Sequence, residues 1–349
     1  MDSSKVIYVH SVNTSFVKKD LALLESNFRV KKSFFNPNNK LLVPFQFAMQ
    51  FFFLFFNIWR SNIVISQFAG YQSFLPTLFA KIFNKPCLIV LGGTDCVSFP
   101  SISYGNFNRP VLKTFTAWSL RLATHFAPVH KSLVESNYTY TKDDYPKQGY
   151  KIFCPKVKGG YTELFYGYDA EQFRNDEAKI PNSFITVGFL NNPNYFRKGI
   201  DLIVEMAKSY PDNKFTVVGG TIDDIPVINV PSNVKLVDSV SYDELKALYA
   251  KHEFYLQLSI CEGFPSAICE AMLCGCIPIG SDVAAIPEII DDCGFVLKHK
   301  NVEELRSLFA EAMASDKNSL SQKSRKSIMD RFPLDERNKF IDLVNKLIK

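Results

Sequence analysis

Short apolar, β-branched runs alternate along the whole chain with amphipathic segments of helix length. In the first half the runs are Val6–His10, Val30–Phe34, Ile63–Ser66, Leu88–Leu91, Phe126–Val129 and Lys151–Cys154. In the second half they are Phe184–Val187, Phe215–Val218, Val234–Leu236, Phe254–Leu258, Ile277–Ile279 and Gly294–Leu297. Such a pattern predicts parallel sheets covered by helices on both faces, and each series is long enough to build its own doubly wound α/β domain. Turn formers interrupt the alternation in KGGYTELFYGYD, Lys158–Asp169, which places the join there. The expected organisation is a first domain over 1–165, a second over 166–332 and a last amphipathic helix over 333–349. No strand follows that helix, so it is free to cross back onto the first domain. Two such domains facing one another would frame a cleft at the carboxyl ends of both sheets. Ligands of open α/β folds bind there, so function is sought in the loops that follow strands. The fold by itself names no chemistry.

Composition narrows the class. With 47% hydrophobic and 21% charged residues over 349 positions, a disordered tail, a collagen-like chain and a small disulfide scaffold are excluded. Eight Cys in so long a chain are not a framework, and the N-terminus shows no basic segment followed by an apolar one, so a cytoplasmic protein with reduced thiols is expected. Charge is divided unequally: residues 1–172 carry 19 Lys+Arg and 10 Asp+Glu, a balance of +9, whereas the rest carry 21 and 25, a balance of −4. A basic half suits an anionic lipid surface, nucleic acid or a phosphorylated substrate, and equally a solvated surface with no partner. One segment bears on that choice. From Phe45 to Trp59 the chain reads FQFAMQFFFLFFNIW, too short and too interrupted by Gln46, Gln50 and Asn57 for the roughly 20 apolar residues of a spanning helix. It predicts a helix that is either buried in the protein or laid in a membrane interface, with aromatics on the lipid side and the flanking cations at headgroups.

The stretch LSICEGFPSAICEAMLCGCIPIGSDVAAIPEII, Leu258–Ile290, carries the chemistry. It leaves a strand, breaks at Gly263, restarts as a helix near Pro265 or Ser266, and passes through Gly275 into another strand, with Pro and Gly as helix punctuation. Glu262 falls in the loop and Glu270 in the helix, seven residues apart, so both can face one crevice at different depths. The amides of Gly263 and Phe264, with the helix start, suit negative charge. A carboxylate inside the helix can accept hydrogen bonds from vicinal hydroxyls such as those of ribose.

This stretch resembles the Glu-x7-Glu signature of retaining, nucleotide-sugar-dependent glycosyltransferases of the GT-B fold, specifically the large family four, also described as group 1. The resemblance extends over nearly the whole chain, through the GGTD loop at Gly92–Asp95, YGYDAEQF at Tyr166–Phe173 and RKGID at Arg197–Asp201. It implies two Rossmann-like domains, the first for the acceptor and the second for the nucleotide sugar. It further implies that Glu270 binds the ribose hydroxyls, that Glu262 contacts the donor sugar, and that Gly263, Phe264, Pro265 and Ser266 line the sugar and phosphate pocket. Lys198 would compensate the diphosphate, with Arg197 as a second cation, where fixed charge stabilises the leaving group as it departs. No cofactor and no metal is called for; the nucleotide sugar is a co-substrate. The acceptor would be a glycan or a lipid-linked glycan, nucleic acid is not a partner, and an anionic membrane on its cytoplasmic face is a candidate docking surface for the basic, Phe-rich half.

The chain departs from the family in two places. VGFL puts Phe189 where many relatives have Arg, and the loop after the first strand, SVNTSF, lacks their paired glycines, leaving Asn13, Thr14 and Ser15 to meet the diphosphate or the acceptor. In the first domain Gly92 and Gly93 are expected to let substrate approach closely. Thr94 would project into the cleft, and Asp95 would either orient a sugar hydroxyl or cap the following turn. Tyr104, Asn106 and Arg109 are further acceptor candidates. Cys261, Cys269, Cys274 and Cys276 crowd one segment without metal-ligand spacing and read as small buried apolar residues. Neither a Walker A sequence nor G-x-G-x-x-G occurs. A non-catalytic nucleotide-sugar-binding protein and a sugar epimerase of the same fold are the alternatives.

Overall fold

The computed structural model describes residues 4–37, 41–173, 177–226 and 229–349. These form two compact units: unit 1 is Met1–Asn137, Lys147–Phe165 and Arg337–Lys349, and unit 2 is Tyr138–Pro146 and Tyr166–Glu336.

Unit 1 runs β1 (Lys5–His10), α1 (Ser15–Asn27), β2 (Arg29–Phe34), α2 (Val43–Asn57), β3 (Ile63–Gln67), α3 (Tyr71–Ile82), β4 (Cys87–Leu91), α4 (Pro110–Leu122), β5 (His125–Pro128), β6 (Ser136–Asn137), β7 (Lys147–Gln148), α5 (Tyr150–Phe153) and β8 (Gly160–Tyr161). Its main sheet has the order β2-β1-β3-β4-β5-β8, parallel throughout. Strand order reverses between β1 and β3. Alternation along β1 sends Val6 and Tyr8 to one face and Ile7 and Val9 to the other. The first face is closed by α1 and by the last helix of the chain, Lys339–Ile348, whose Phe340, Leu343 and Val344 pack against Tyr8, Leu24 and Ile65. Ten residues are too few to hold a helix alone in water. Burying those three side chains contributes about 1.5–3 kcal/mol each, and Arg337, just ahead of them, makes a two-pronged ion pair with Asp20 of α1, Nε to Oδ1 at 2.8 Å and Nη2 to Oδ2 at 2.7 Å. Its Nη1 also donates to the Leu164 carbonyl at 2.7 Å.

The second face carries α2. Gln50, Leu54 and the following Ile58 turn inward, while Phe45, Met49, Phe52, Phe56 and Trp59 turn outward and are 58–70% exposed. Their 4-3-4-3 spacing is one continuous stripe. Among the described residues no helix is long and apolar enough to cross a membrane.

Unit 2 continues with β9 (Ile180–Val187), α6 (Asn192–Arg197), α7 (Ile200–Ser209), β10 (Lys214–Val218), β11 (Val234–Val237), α8 (Tyr242–Lys251), β12 (His252–Gln257), α9 (Ser266–Leu273), β13 (Ile277–Ser281), α10 (Ile286–Ile290), β14 (Phe295–Leu297), α11 (Val302–Ala314) and α12 (Lys317–Arg331). The sheet is again parallel, in the order β11-β10-β9-β12-β13-β14, with the reversal between β9 and β12. Its core holds a stack of nearly coplanar rings: Phe184 lies 5.0, 4.9 and 4.7 Å from Phe215, Phe254 and Phe309, with interplanar angles of 13–15°.

The structure corrects the sequence reading at three points. Lys151–Cys154 is not a strand: Gly149, at φ +110°, turns the chain where a Cβ would lie 2.5 Å from the Val134 carbonyl oxygen, and Tyr150–Phe153 follows as a helical turn. The sixth strand is the two-residue β8, inside the stretch rich in turn formers. The segment 138–146 belongs with unit 2, where the Tyr138 and Tyr140 hydroxyls donate to the Ile260 and Leu258 carbonyls at 3.0 and 3.4 Å, and the Tyr140 carbonyl accepts from the Lys300 amide at 2.8 Å. Residues 333–336 also stay with unit 2, and the return to unit 1 starts at Arg337.

Candidate functional site

In unit 2 the reversal of strand order opens the sheet between the carboxyl ends of β9 and β12, the place where doubly wound folds bind ligands. Two charged side chains meet there. β9 ends at Val187, Gly188 follows it, and the chain returns through α6, started by Asn191, whose Oδ1 accepts from the Asn194 amide at 2.9 Å. Lys198 follows α6 and lays its stem across Gly188, where a Cβ would stand 3.2 Å from the lysine Cε. Gly199 then turns at φ +71° so close to Leu258 that a Cβ would sit 2.3 Å from its carbonyl oxygen, which explains the glycine of the RKGID segment. The Ile260 amide donates to the Arg197 carbonyl at 2.8 Å, tying the end of α6 to the loop after β12.

From that loop Glu262 reaches back. Its Oε1 accepts from Lys198 Nζ at 2.6 Å, Ser259 Oγ at 2.8 Å and Gln257 Nε2 at 3.2 Å. The lysine and glutamate side chains are only 16% and 12% exposed. Gln257 is itself fixed by the Tyr255 hydroxyl at 3.1 Å, and it donates to Ser259 at 2.8 Å. Burial pushes the Glu262 carboxyl up, but Lys198 and Arg197 outweigh it and hold the group below the usual carboxylate range. Among the described residues, every hydrogen bond to this carboxylate falls on Oε1, so Oε2 is left to accept from a bound hydroxyl. Arg197, half-buried, is oriented by Asn194, with Nε to Oδ1 at 2.8 Å.

The helix α9 starts at Ser266 with Pro265 ahead of it and no side-chain cap. Ser266 Oγ accepts from the Tyr168 hydroxyl at 3.0 Å, which uses the YGYD segment to brace the helix start. Gly263 is buried, and Phe264 turns its ring against Phe332, 5.2 Å away, so of these two residues it is the backbone that is available to a ligand. Glu270, one turn into α9, is half-buried and accepts from the Tyr242 hydroxyl at 3.3 Å. Tyr242 is the residue that sequence reasoning missed. It opens α8 behind the Ser241 cap, its ring meets Phe173 edge-on at 5.8 Å, and no motif marked it.

The unit 1 residues divide. Asn13, Thr14 and Ser15 are exposed after β1, and Thr94 Oγ1 lies 2.6 Å from the Tyr104 hydroxyl. Asp95 is not open to a sugar. It is buried, with Oδ2 accepting from the Ala69 amide at 3.0 Å and Oδ1 from the Gly93 and Gly92 amides at 3.0 and 3.2 Å, which makes it the clamp of its own loop. Burial raises its carboxyl above the ordinary range although those amides favour the charged form. Gly92 serves packing: a Cβ there would lie 2.1 Å from Cε1 of Phe68. Phe68 itself holds φ +65°, an uncommon conformation for a bulky residue. Asn106 is also spoken for, donating to the Ala69 carbonyl and Thr116 Oγ1 at 2.9 and 3.1 Å. Around these loops, at the carboxyl ends of β1, β3 and β4, unit 1 encloses a cavity of about 1070 Å³.

Residues 169–328 match the family model for glycosyl transferases group 1. Unit 2 is a group 1 glycosyltransferase domain. Among curated proteins the chain is similar to the phosphatidylinositol N-acetylglucosaminyltransferase gpi3 subunit of Schizosaccharomyces pombe, 26% identical over 131 residues that make up 35% of this chain and 28% of that one. The chain thus matches only about a quarter to a third of the length of the curated relatives ranked first. Among solved structures it resembles sucrose-phosphate synthase from Thermosynechococcus elongatus, with TM-score 0.71, 13% identity and 99% of both chains covered. It also resembles Anabaena HepE in complex with UDP and glucose, with TM-score 0.69, 13% identity, and 98% of this chain and 100% of that one covered. At such identity the likeness is one of fold, and the fold is GT-B. Every residue of the Lys198–Glu262 network and Glu270 lies within the glycosyltransferase domain. Among the described residues no group of three or more His, Cys, Asp or Glu could hold a metal ion.

Proposed function

We propose that the chain is a retaining glycosyltransferase that moves a sugar from a nucleoside diphosphate donor, held by the group 1 domain, to a glycan or lipid-linked acceptor. The observation that carries this reading is the buried Lys198–Glu262 pair at the point of strand-order reversal. Cleavage of the donor bond puts negative charge on the leaving diphosphate. Lys198 and Arg197 supply cations there, and the uncapped start of α9 supplies amides, all fixed before the reaction. Glu262 keeps Lys198 aimed through Oε1 and offers Oε2 to a hydroxyl of the donor sugar. Glu270 accepts from the ribose hydroxyls, with Tyr242 orienting it. Retention follows when the acceptor enters on the face the leaving group vacates, its proton passing to the departing phosphate.

The outward stripe of α2 belongs to the same reading. Five large apolar side chains on one helical face, followed by Arg60 and set in the basic half of the chain, suit an anionic membrane surface, where lipid-linked acceptors reside. The deciding experiment is calorimetric titration of UDP, GDP and ADP, with Glu270→Ala as control. One nucleotide is expected to bind and to be lost in the variant. Binding of none, or binding untouched by the substitution, overturns the donor assignment. A protein that binds nucleotide sugar without turnover is the second reading, favoured by the 69% exposed Phe189 beside Gly188; transfer or slow hydrolysis of the sugar by the purified protein separates the two.

A further inference from the structure

The unit 1 cavity holds more room than a sugar hydroxyl network needs, and its lining is of the wrong kind for one. Phe16, Phe47, Phe68, Tyr71 and Phe115 contribute rings to it. Most of its polar neighbours are already engaged inside the protein: Asp95 by three backbone amides, Asn106 by Ala69 and Thr116, Gln72 by the Gln67 and Phe68 carbonyls at 3.2 and 3.1 Å, and Thr94 by the Tyr104 hydroxyl at 2.6 Å. An occupant therefore meets a mainly apolar wall, in which aliphatic side chains such as Val12, Val43 and Leu112 stand beside the rings. Charge enters at one place: Arg109 lines the cavity, is exposed, and stands directly before α4, whose first residues Pro110, Val111 and Leu112 also line it. A guanidinium beside a helix start is a seat for an anion. The volume, about 1070 Å³, is at the upper end of those that enclose a drug-sized molecule. Phe68 shows that the lining is held deliberately. Its strained backbone is fixed by a 2.9 Å bond from its amide to the Val90 carbonyl, and its ring lies between Gly92 and Phe16.

We propose that this cavity is a chain-binding site: it takes the apolar chain of an amphiphile whose anionic headgroup, a phosphate or diphosphate, pairs with Arg109. In the transfer reaction proposed above, on which this part rests, that amphiphile carries the acceptor. The acceptor class is thereby narrowed from glycans in general to sugars or alcohols borne on a phosphorylated lipid, whether isoprenoid or acyl. The cavity adjoins α2 through Val43 and Phe47, so the stripe that lies on a membrane and the cavity that receives a chain share one helix.

The test is binding of decyl phosphate, decyl maltoside and maltose to the full chain by calorimetry, each detergent below its critical micelle concentration, with UDP titrated in the same preparations. Decyl phosphate is expected to bind once per chain, decyl maltoside more weakly, and maltose not at all. Val111→Asp, which sets a carboxylate at the mouth on an exposed position, is expected to weaken decyl phosphate about tenfold or more and to leave UDP unaffected. Arg109→Gln is expected to bring the two detergents to similar affinity. The double variant Phe52→Ser, Phe56→Ser is expected to bind decyl phosphate as the wild type does. Binding that survives Val111→Asp, or that disappears with the α2 substitutions, overturns the proposal. So does a protein that binds UDP but no decyl phosphate, which leaves the donor reading standing. Decyl phosphate binding without any nucleotide binding supports the cavity's ligand class while removing the donor reading.

Discussion

Replacing Lys198 by Met keeps a stem to cover Gly188 and removes only the ammonium. What remains is a carboxylate, 12% exposed, with two neutral donors, Ser259 and Gln257, on the oxygen that had three. Breaking a buried pair from one side typically costs 3–5 kcal/mol, and the surviving hydrogen bonds put this case near the lower end, about 3 kcal/mol. The loss depends on pH with a definite sign. In the wild type the folded-state pKa of Glu262 lies below its ordinary value, so the stability it lends is present above the unfolded value of about 4.3 and is lost as pH falls through the folded one. Without Lys198 the effect of burial prevails and the folded pKa rises, so the variant loses stability as pH climbs from the unfolded value of about 4.3 to the raised folded one. The gap between the proteins is thus wider at about pH 7 than at about pH 4. Urea unfolding followed by circular dichroism and by tryptophan fluorescence measures it. Both tryptophans, Trp59 and Trp118, are in unit 1, so the fluorescence transition should stay put while the dichroism of unit 2 moves. Adding Glu262→Gln should restore most of the stability, since no buried charge is left alone. It should not restore turnover, which is expected to fall about 10²–10³-fold with the single change. A loss below about 1 kcal/mol that Glu262→Gln does not alter would refute the buried-pair argument, and normal turnover would refute the catalytic one.

The remaining predictions address unit 1. Arg337→Met strands Asp20, which is fully buried, and should lower the fluorescence-detected melting temperature by about 10 °C, taking about 3–5 kcal/mol and 2–4 °C per kcal/mol; Asp20→Leu in the same chain should recover most of it, and no recovery would mean that the pair is not the cause. Asp95→Asn turns an amide donor toward backbone donors and should destabilise unit 1 by about 2 kcal/mol without changing nucleotide affinity; unchanged stability with lost turnover would return Asp95 to the substrate. Serine at Phe52, Phe55 and Phe56, which are already partly shielded by one another, should weaken sedimentation with anionic vesicles about a hundredfold, at about 1 kcal/mol for each ring withdrawn. A wild-type protein that does not sediment with such vesicles would end the membrane reading.

The sheets were legible because parallel strands buried on both faces leave unbroken apolar runs such as CLIVL and FITV, and the helices between them leave a 3.6-residue period. Neither signal survives in two residues, so Gly160–Tyr161 passed as loop while the apolar KIFC, after a left-handed glycine, passed as strand. Glu262 and Glu270 stand out in the sequence because each sits in a short local pattern of glycine and proline, and Lys198 because the RKGID segment resembles the family's. Contacts made across the fold left no such trace. Nothing local announces that Asp20 will hold Arg337, that Tyr242 will meet Glu270, or that Tyr138 and Tyr140 bond to the loop after β12. The first glycine of GGTD is expected to make room for substrate, whereas the space beside it is taken by the Phe68 ring, a neighbour 24 residues earlier that no local pattern announces.

The last helix of the chain has an implication for synthesis. The surface it covers on unit 1, formed by Tyr8, Leu24, Ile65 and their neighbours, is complete once residues 1–165 have been made. All of 166–336 must then be translated before the covering segment emerges, a wait of about 10–30 s at 5–20 residues per second. Throughout that interval unit 1 is a nascent domain with an open greasy flank, while unit 2, nearly continuous in sequence, can close on its own as it appears. Aggregation during expression should therefore begin in the half of the protein that is made first, and a chaperone that shields nascent chains should raise the yield of the full chain more than that of unit 2 alone.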